Sequence, residues 1–374
     1  MAIPSRGRDD EEWHVTAETI QLLTPEGERV DHPEYPVDDV DLRAMYRDMA
    51  LVRRIDTEAV ALQRQGEMAL WAPLLGQEAA QIGSARALSA KDMAFPSYRE
   101  HGVAWCRGLD PMRILELFRG VTNGAWDPEE HKFHLYTVVI GDQTLHATGY
   151  AMGIQRDGAV GEDGEAVIVY FGDGATSQGD VNEAFIWASV FNAPVVFFCQ
   201  NNQWAISEPL ERQSRIPLYQ RASGFGFPGV RVDGNDVFAC LAVTRKAMQA
   251  AREGQGPMLI EAFTYRMGAH TTTDDPTRYR LASELEAWKL KDPIERVKAF
   301  LVRSGAADAA FFADVDGQAD DLGRRIRKTC QEMPDPQPLA MFENVYAGRN
   351  ALLDAEREQY AAYLDTFDSA EVAR

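Results

Sequence analysis

Between Asp41 and Gln65, apolar residues recur at Leu42, Met45, Met49, Val52, Ile55 and Ala59. Steps of three and four predict one long amphipathic helix, with Asp41 placed to cap its start. The pattern changes at residues 166–172, AVIVYFG, where β-branched and aromatic residues run without alternation. Such a run predicts a strand buried on both faces of a parallel sheet. Helical spacing returns in SQGDVNEAFIWASVFN, with Val181, Ala184, Phe185 and Ala188 on one face. Ser177 and Asp180 there form an S-x-x-D helix start. Residues 194–200, PVVFFCQ, predict a second buried strand, and strand–helix–strand implies a right-handed crossover in a parallel sheet. Gly229–Val232 and Pro257–Phe263 read as two further strands around a helix over Val237–Arg252. From about 281 the chain is helical and charged, broken near Pro293, Gly305 and Pro334–Pro338. The expected fold is α/β: a doubly wound, mostly parallel sheet flanked by helices. Residues 1–40 read as an extended polar arm, 41–300 as the main domain and 301–374 as a helical C-terminal region. No internal repeat or low-complexity tract interrupts this order.

Composition narrows the functional classes. The chain has 374 residues and a formal net charge of −20, which repels phosphate backbones and argues against nucleic acid as a partner. Four cysteines without a CxxC pair argue against a zinc site or a disulfide framework. The apolar runs, such as Val167–Phe171 and Pro194–Cys199, are too short to span a bilayer. The start has no apolar secretory run, so the cytoplasm is the expected location and no membrane is expected as a partner.

The chemistry concentrates between Gly172 and Asn202. Gly172-Asp173-Gly174 follows one buried strand, and Asn201-Asn202 ends the next. In open parallel sheets ligands bind beyond the carboxyl ends of the strands, so Asp173 and Asn202 are expected at one edge. A carboxylate and an amide oxygen suit magnesium, which combines few protein oxygens with phosphates and water. Flanking glycines allow backbone N–H groups close to a diphosphate, and the helix expected from Ser177 adds a positive dipole end.

This GDG…NN pattern, within YFGDGATSQGDVNEAFIWASVFNAPVVFFCQNNQWAIS, resembles the thiamine diphosphate fingerprint. The wider text, over roughly 45–300, is similar to the alpha subunits of bacterial pyruvate and branched-chain 2-oxo acid dehydrogenases. The resemblance implies that Asp173, Asn202 and the Trp204 carbonyl ligate Mg2+, and that Gly174 and Ala175 lie against the diphosphate. It implies that Tyr98 and Arg99 of PSYREHG bind diphosphate oxygens, an anion that an arginine fork fits well. Val138 and Ile140 would offer backbone groups to the aminopyrimidine ring, Ile140 also serving as an apolar wedge. Gln143 matches a position that helps hold potassium in some relatives.

The segment YRMGAHTTTDDPTRYR (265–280) resembles the family's active-site loop. By that resemblance His270 is the catalytic residue, beside the cofactor, hydrogen-bonding or protonating groups during acyl transfer. Thr271, Thr272 and Thr273 stand where animal relatives carry regulatory serines, although hydroxyls that fix turns are the favoured reading. Arg266, Arg278, Tyr279 and Arg280 would order the loop around the phosphates or meet a lipoyl domain. Structural roles are expected for His101 and His146.

No second, pyrimidine-binding module is visible in the chain. The resemblance places the activating glutamate on a beta subunit, in an alpha2-beta2 assembly with a shared site. The implied reaction is decarboxylation of a 2-oxo acid and reductive transfer of the acyl group to a lipoyl-bearing acyltransferase. A branched-chain 2-oxo acid is the preferred substrate, with pyruvate the alternative.

Overall fold

The computed structural model describes residues 18–367, apart from 38, 39, 123, 125 and 344. Residues 1–17 of the expected arm and 368–374 of the C-terminal region thus lie outside the described residues.

The strands are β1 (Met93–Phe95), β2 (Val167–Gly172), β3 (Val195–Asn201), β4 (Trp204–Ala205), β5 (Glu208–Pro209), β6 (Gly229–Asp233) and β7 (Met258–Phe263). Five of them form one sheet in the order β1-β2-β3-β7-β6, and every pairing in it is parallel. In β2, Val167, Val169 and Phe171 enter one apolar cluster while Ile168 and Tyr170 enter the other. In β3, Val195, Phe197 and Cys199 divide from Val196 and Phe198 in the same way. Successive side chains point to opposite faces. Helices cover both faces, so each of these positions is apolar and the runs show no alternation.

The longer helices are α1 (Leu42–Arg64), α2 (Glu78–Arg86), α3 (Pro111–Arg119), α4 (Asp142–Arg156), α5 (Gly179–Val190), α6 (Val237–Arg252), α7 (Pro293–Arg303), α8 (Ala309–Glu332) and α9 (Ala351–Leu364). α4 and α5 cover one face of the sheet. α1, α2, α6, α7 and α8 share the core on the other, so the expected doubly wound α/β architecture is present. Phe311, Val315, Ile326 and Cys330 of α8 belong to that same core. At the other end of the chain, Ile20 bridges in parallel to Val232 of β6.

Local signals explain the helix ends. The Asp41 carboxylate accepts the Ala44 N–H at the start of α1, as its position predicts. Asp236 caps α6. Pro293 opens α7 behind Asp292, and Gly305, with φ of 69°, follows its end. One expectation needs correcting. Ser177 does not cap α5, because Asp173–Ser177 forms a separate 3-10 turn. There Thr176 Oγ1 donates to the Asp173 carbonyl at 2.7 Å, and α5 begins only at Gly179, without a side-chain cap. The sequence reading also did not anticipate β1, the β4–β5 hairpin or the helices α2, α3 and α4.

Candidate active site

The carboxyl ends of four neighbouring strands open into one cleft of about 270 Å³. Tyr98 and Arg99 follow β1, Asp173 follows β2, Asn202 follows β3, and Arg266 and His270 follow β7. Parallel pairing in register (Gly172 beside Gln200, Asn201 beside Phe263) aligns these ends. Tyr98, Arg99, Ile140, Asp173, Gly174, Ala175, Asn202, Trp204 and His270 all line the cleft. Val138 is not among the lining residues; it stands at the surface, 73% exposed.

Asp173 is buried, and that burial pushes its carboxyl up to about 6 despite the Gln213 amide, which donates to Oδ2 at 2.8 Å. Asn202 Oδ1 accepts the Trp204 N–H at 3.2 Å, and its Nδ2 donates to Gln77 Oε1 at 3.2 Å. Backbone conformation aims this corner. Gln203 and Ile206 have φ of 73° and 56° on either side of β4, a region costly for side chains, above all a β-branched one. The β4–β5 hairpin lies tight on the Gly-Asp-Gly turn. A Cβ at Gly174 would stand 2.7 Å from Ala205 Cβ. Gly174→Ala is therefore expected to lose about 1–3 kcal/mol of stability by overpacking, read from denaturant unfolding. An unchanged midpoint would mean that the hairpin yields freely.

Two guanidinium groups face the cleft. Arg99 donates to the Pro73 carbonyl at 2.5 Å and to the His270 carbonyl at 2.9 Å. Arg266, fully buried, donates to the carbonyls of Trp204 and Ile206, both at 2.8 Å. His270 Nδ1 lies 3.2 Å from Arg99 Nη2 and 3.4 Å from Arg266 Nη1. Burial first, then these two cations, push the imidazole down to about 3. His270 is thus neutral. Its Nδ1 accepts from the arginines, which leaves the proton on Nε2.

The rest of the 265–280 loop is tied to itself. The His270 N–H donates to Asp274 at 2.8 Å, and Tyr279 bridges Asp274 and Arg266. Arg280 donates to the Arg266 carbonyl at 2.5 Å, whereas Arg278 is exposed. Thr271 and Thr273 bond each other at 3.0 Å, and Thr272 Oγ1 accepts the Trp71 N–H at 3.1 Å. These contacts fit hydroxyls that fix turns. His101 is structural: Nε2 donates to the Ala72 carbonyl at 3.0 Å, Nδ1 meets Tyr136 at 2.7 Å, and the ring stacks on Trp71. His146 is exposed on α4.

Sequence reasoning passed over Gln77, Glu100, Gln200 and Gln213. Glu100 sits inside the quoted SYRE text, and one of its oxygens accepts Ser97 N, Ser97 Oγ and Arg99 N at 2.7, 2.8 and 3.3 Å. Gln200 donates to its other oxygen at 2.7 Å. Gln213 lies far along the chain from Asp173 and carried no signal.

The residues present fit a metal–diphosphate group. Asp173 is a buried carboxylate whose bonded partner is a neutral amide. The oxygens of Asp173, Asn202 and Trp204 are hard donors suited to magnesium. A Cβ on Gly172, which lines the cleft, would meet nothing within 4 Å, so the turn has room for a ligand. Gln143 Oε1 is buried without a partner while its Nε2 donates to the Tyr170 carbonyl at 2.9 Å.

A family model described as "Dehydrogenase E1 component" matches residues 46–337. The 3-methyl-2-oxobutanoate dehydrogenase subunit alpha of Mycobacterium tuberculosis is 45% identical over 359 residues, covering 95% of this chain and 96% of that one. The pyruvate dehydrogenase E1 component subunit alpha of Bacillus cereus is 39% identical, covering 88% of each chain. That of Bacillus subtilis is 38% identical, covering 91% and 92%. With strand ends, acidic turn and relatives in agreement, the chain belongs to the dehydrogenase E1 component family, as an alpha subunit of the thiamine-diphosphate-dependent 2-oxo acid dehydrogenases.

Proposed function

We propose that this chain is the alpha subunit of a branched-chain 2-oxo acid dehydrogenase first component, an oxidoreductase that decarboxylates a 2-oxo acid and acylates a lipoyl group. The observation that carries the substrate is the greater identity to the 3-methyl-2-oxobutanoate enzyme, 45%, than to pyruvate enzymes at 37–39%. Pyruvate is the second reading, favoured by the number of such relatives. Reconstituted with its beta subunit, the enzyme is expected to prefer 2-oxoisovalerate over pyruvate at least tenfold in kcat/KM, the scale of one extra or missing methylene in an apolar pocket (~1–3 kcal/mol). A preference for pyruvate would overturn the substrate and leave the family intact.

Bound thiamine diphosphate supplies the carbon nucleophile and the electron sink. Asp173, Asn202 and the Trp204 carbonyl would hold Mg2+. That carbonyl already accepts from Arg266 and keeps a lone pair for a ligand. Tyr98 and Arg99 would bind diphosphate oxygens, with Gly174 and Ala175 alongside. Ile140 would wall the ring, and its backbone and that of Val138 would meet the aminopyrimidine. His270 would donate a hydrogen bond from its Nε2–H to the groups that react during acyl transfer. Gln143 Oε1 is a candidate acceptor for potassium, but one oxygen does not make that site.

A beta subunit fits as partner, because the relatives are named as alpha subunits. Val138, Val139, Ile140 and Ile206 stand 39–73% exposed near the cleft. Ile186, Trp187, Val190 and Phe191 expose a further apolar face at α5. Patches of this kind mark interaction surfaces. The lipoyl-bearing acyltransferase would approach the same opening. Among the described residues no helix is long and apolar enough to cross a membrane.

A further inference from the structure

Residues 71–76 form a strap behind the cleft, and its backbone bonds Arg99, which lines the cleft, as well as His101 and the His270 loop. The Pro73 carbonyl accepts from Arg99 at 2.5 Å. The Ala72 carbonyl accepts from His101 at 3.0 Å. Toward the His270 loop, Trp71 exchanges two bonds with Thr272, and the Leu75 carbonyl accepts the Met267 N–H at 3.0 Å. Backbone carbonyls can aim a guanidinium only if the strap itself is held.

The strap is held by one buried side chain of α1. Asp56, 3% exposed, accepts Trp71 Nε1 at 2.7 Å and Leu74 N at 3.1 Å, both on Oδ1. These two donors flank Ala72 and Pro73, the residues whose carbonyls reach His101 and Arg99. Trp71 is itself fully buried and stacks on the His101 ring at 4.2 Å. Glu78 secures the far end by accepting the Gly76 N–H at 2.9 Å.

We infer that Asp56 is a positioning residue for the cofactor site: through Trp71 and Leu74 it sets the strap that aims Arg99 and seats the His270 loop. Burial pushes its carboxyl up to about 6, and the Trp71 and Leu74 N–H groups oppose that shift. The carboxylate and its two donors therefore depend on each other, and removing either side leaves a buried polar group unmatched.

This inference rests on the cleft being the thiamine diphosphate site. It is tested in the assembled alpha–beta enzyme by calorimetric titration with thiamine diphosphate and Mg2+. Asp56→Ala is expected to weaken cofactor binding about tenfold or more, the scale of bonds lost to a charged group. Asp56→Asn keeps an acceptor oxygen and should stay within about threefold of wild type. Asp236 is the control. It is equally buried and also pushed up to about 6, but it bonds Leu22 and Leu23, away from the cleft. Asp236→Ala should lower the melting temperature while the folded enzyme binds the cofactor normally. If Asp56→Ala does not fold, Trp71→Phe removes one donor and keeps the packing, and it should weaken binding several-fold. Normal binding by a folded Asp56→Ala, or by Trp71→Phe in its place, would overturn the role. So would equal loss in the Asp56 and Asp236 variants. Absence of binding by the wild-type enzyme would instead refute the site.

Discussion

Asp173→Asn is expected to abolish Mg2+-dependent binding of thiamine diphosphate while leaving the fold intact or more stable. The carboxylate is the one charged oxygen donor proposed for the metal, and its side chain is buried. Deleting one partner of a buried charge pair costs about 3–5 kcal/mol, roughly 150- to 5,000-fold in affinity. Without cofactor the sign reverses. Burial raises this carboxyl from 3.8 to about 6, so the folded protein binds the proton more tightly than the unfolded chain. Its stability cost is therefore present at pH 7, shrinks as pH falls through 6, and is gone below the unfolded value. An amide avoids that cost, and Gln213, whose Oε1 is buried without a partner, can turn to accept from it. The cofactor-free variant should thus melt above wild type at pH 7 and level with it near pH 4. Calorimetric titration and paired melts check both halves. Wild-type affinity in Asp173→Asn would sink the metal site, and binding lost together with a lower melting point at pH 7 would assign the loss to misfolding.

His270→Ala is expected to slow acylation of the lipoyl acceptor roughly 100- to 1,000-fold, the range of one lost preorganised hydrogen-bond donor. Cofactor affinity should change little, because Arg99 is held by the His270 carbonyl and by Pro73, neither of which the substitution removes. Decarboxylation followed with an artificial electron acceptor should fall less than turnover with the lipoyl domain. Equal loss in both assays would move His270 from acyl transfer to an earlier step. Its imidazole, held down to about 3 by burial and by Arg99 and Arg266, works as a neutral N–H donor. Turnover should accordingly show no ionisation near pH 6.5 that vanishes with this substitution.

What the sequence alone determined was whatever depends on local pattern and on the parallel-sheet rule. The unalternating runs at 166–172 and 194–200 became adjacent parallel strands with both faces covered. The long α1 began behind its Asp41 cap, and Asp173 and Asn202 reached one edge because strand ends in register must do so. Tertiary structure decided the rest, because those contacts join residues remote in the chain. β1 has three residues and no period to read, yet it delivers Tyr98 and Arg99. The helix start moved from Ser177 to Gly179 because a 3-10 turn took up the preceding residues. Gln213 met Asp173, Gln77 met Asn202, and Arg266 took the Trp204 carbonyl. Burial, which makes Asp173 prefer a cation or a proton to water and keeps His270 uncharged, exists only once the chain has closed around them.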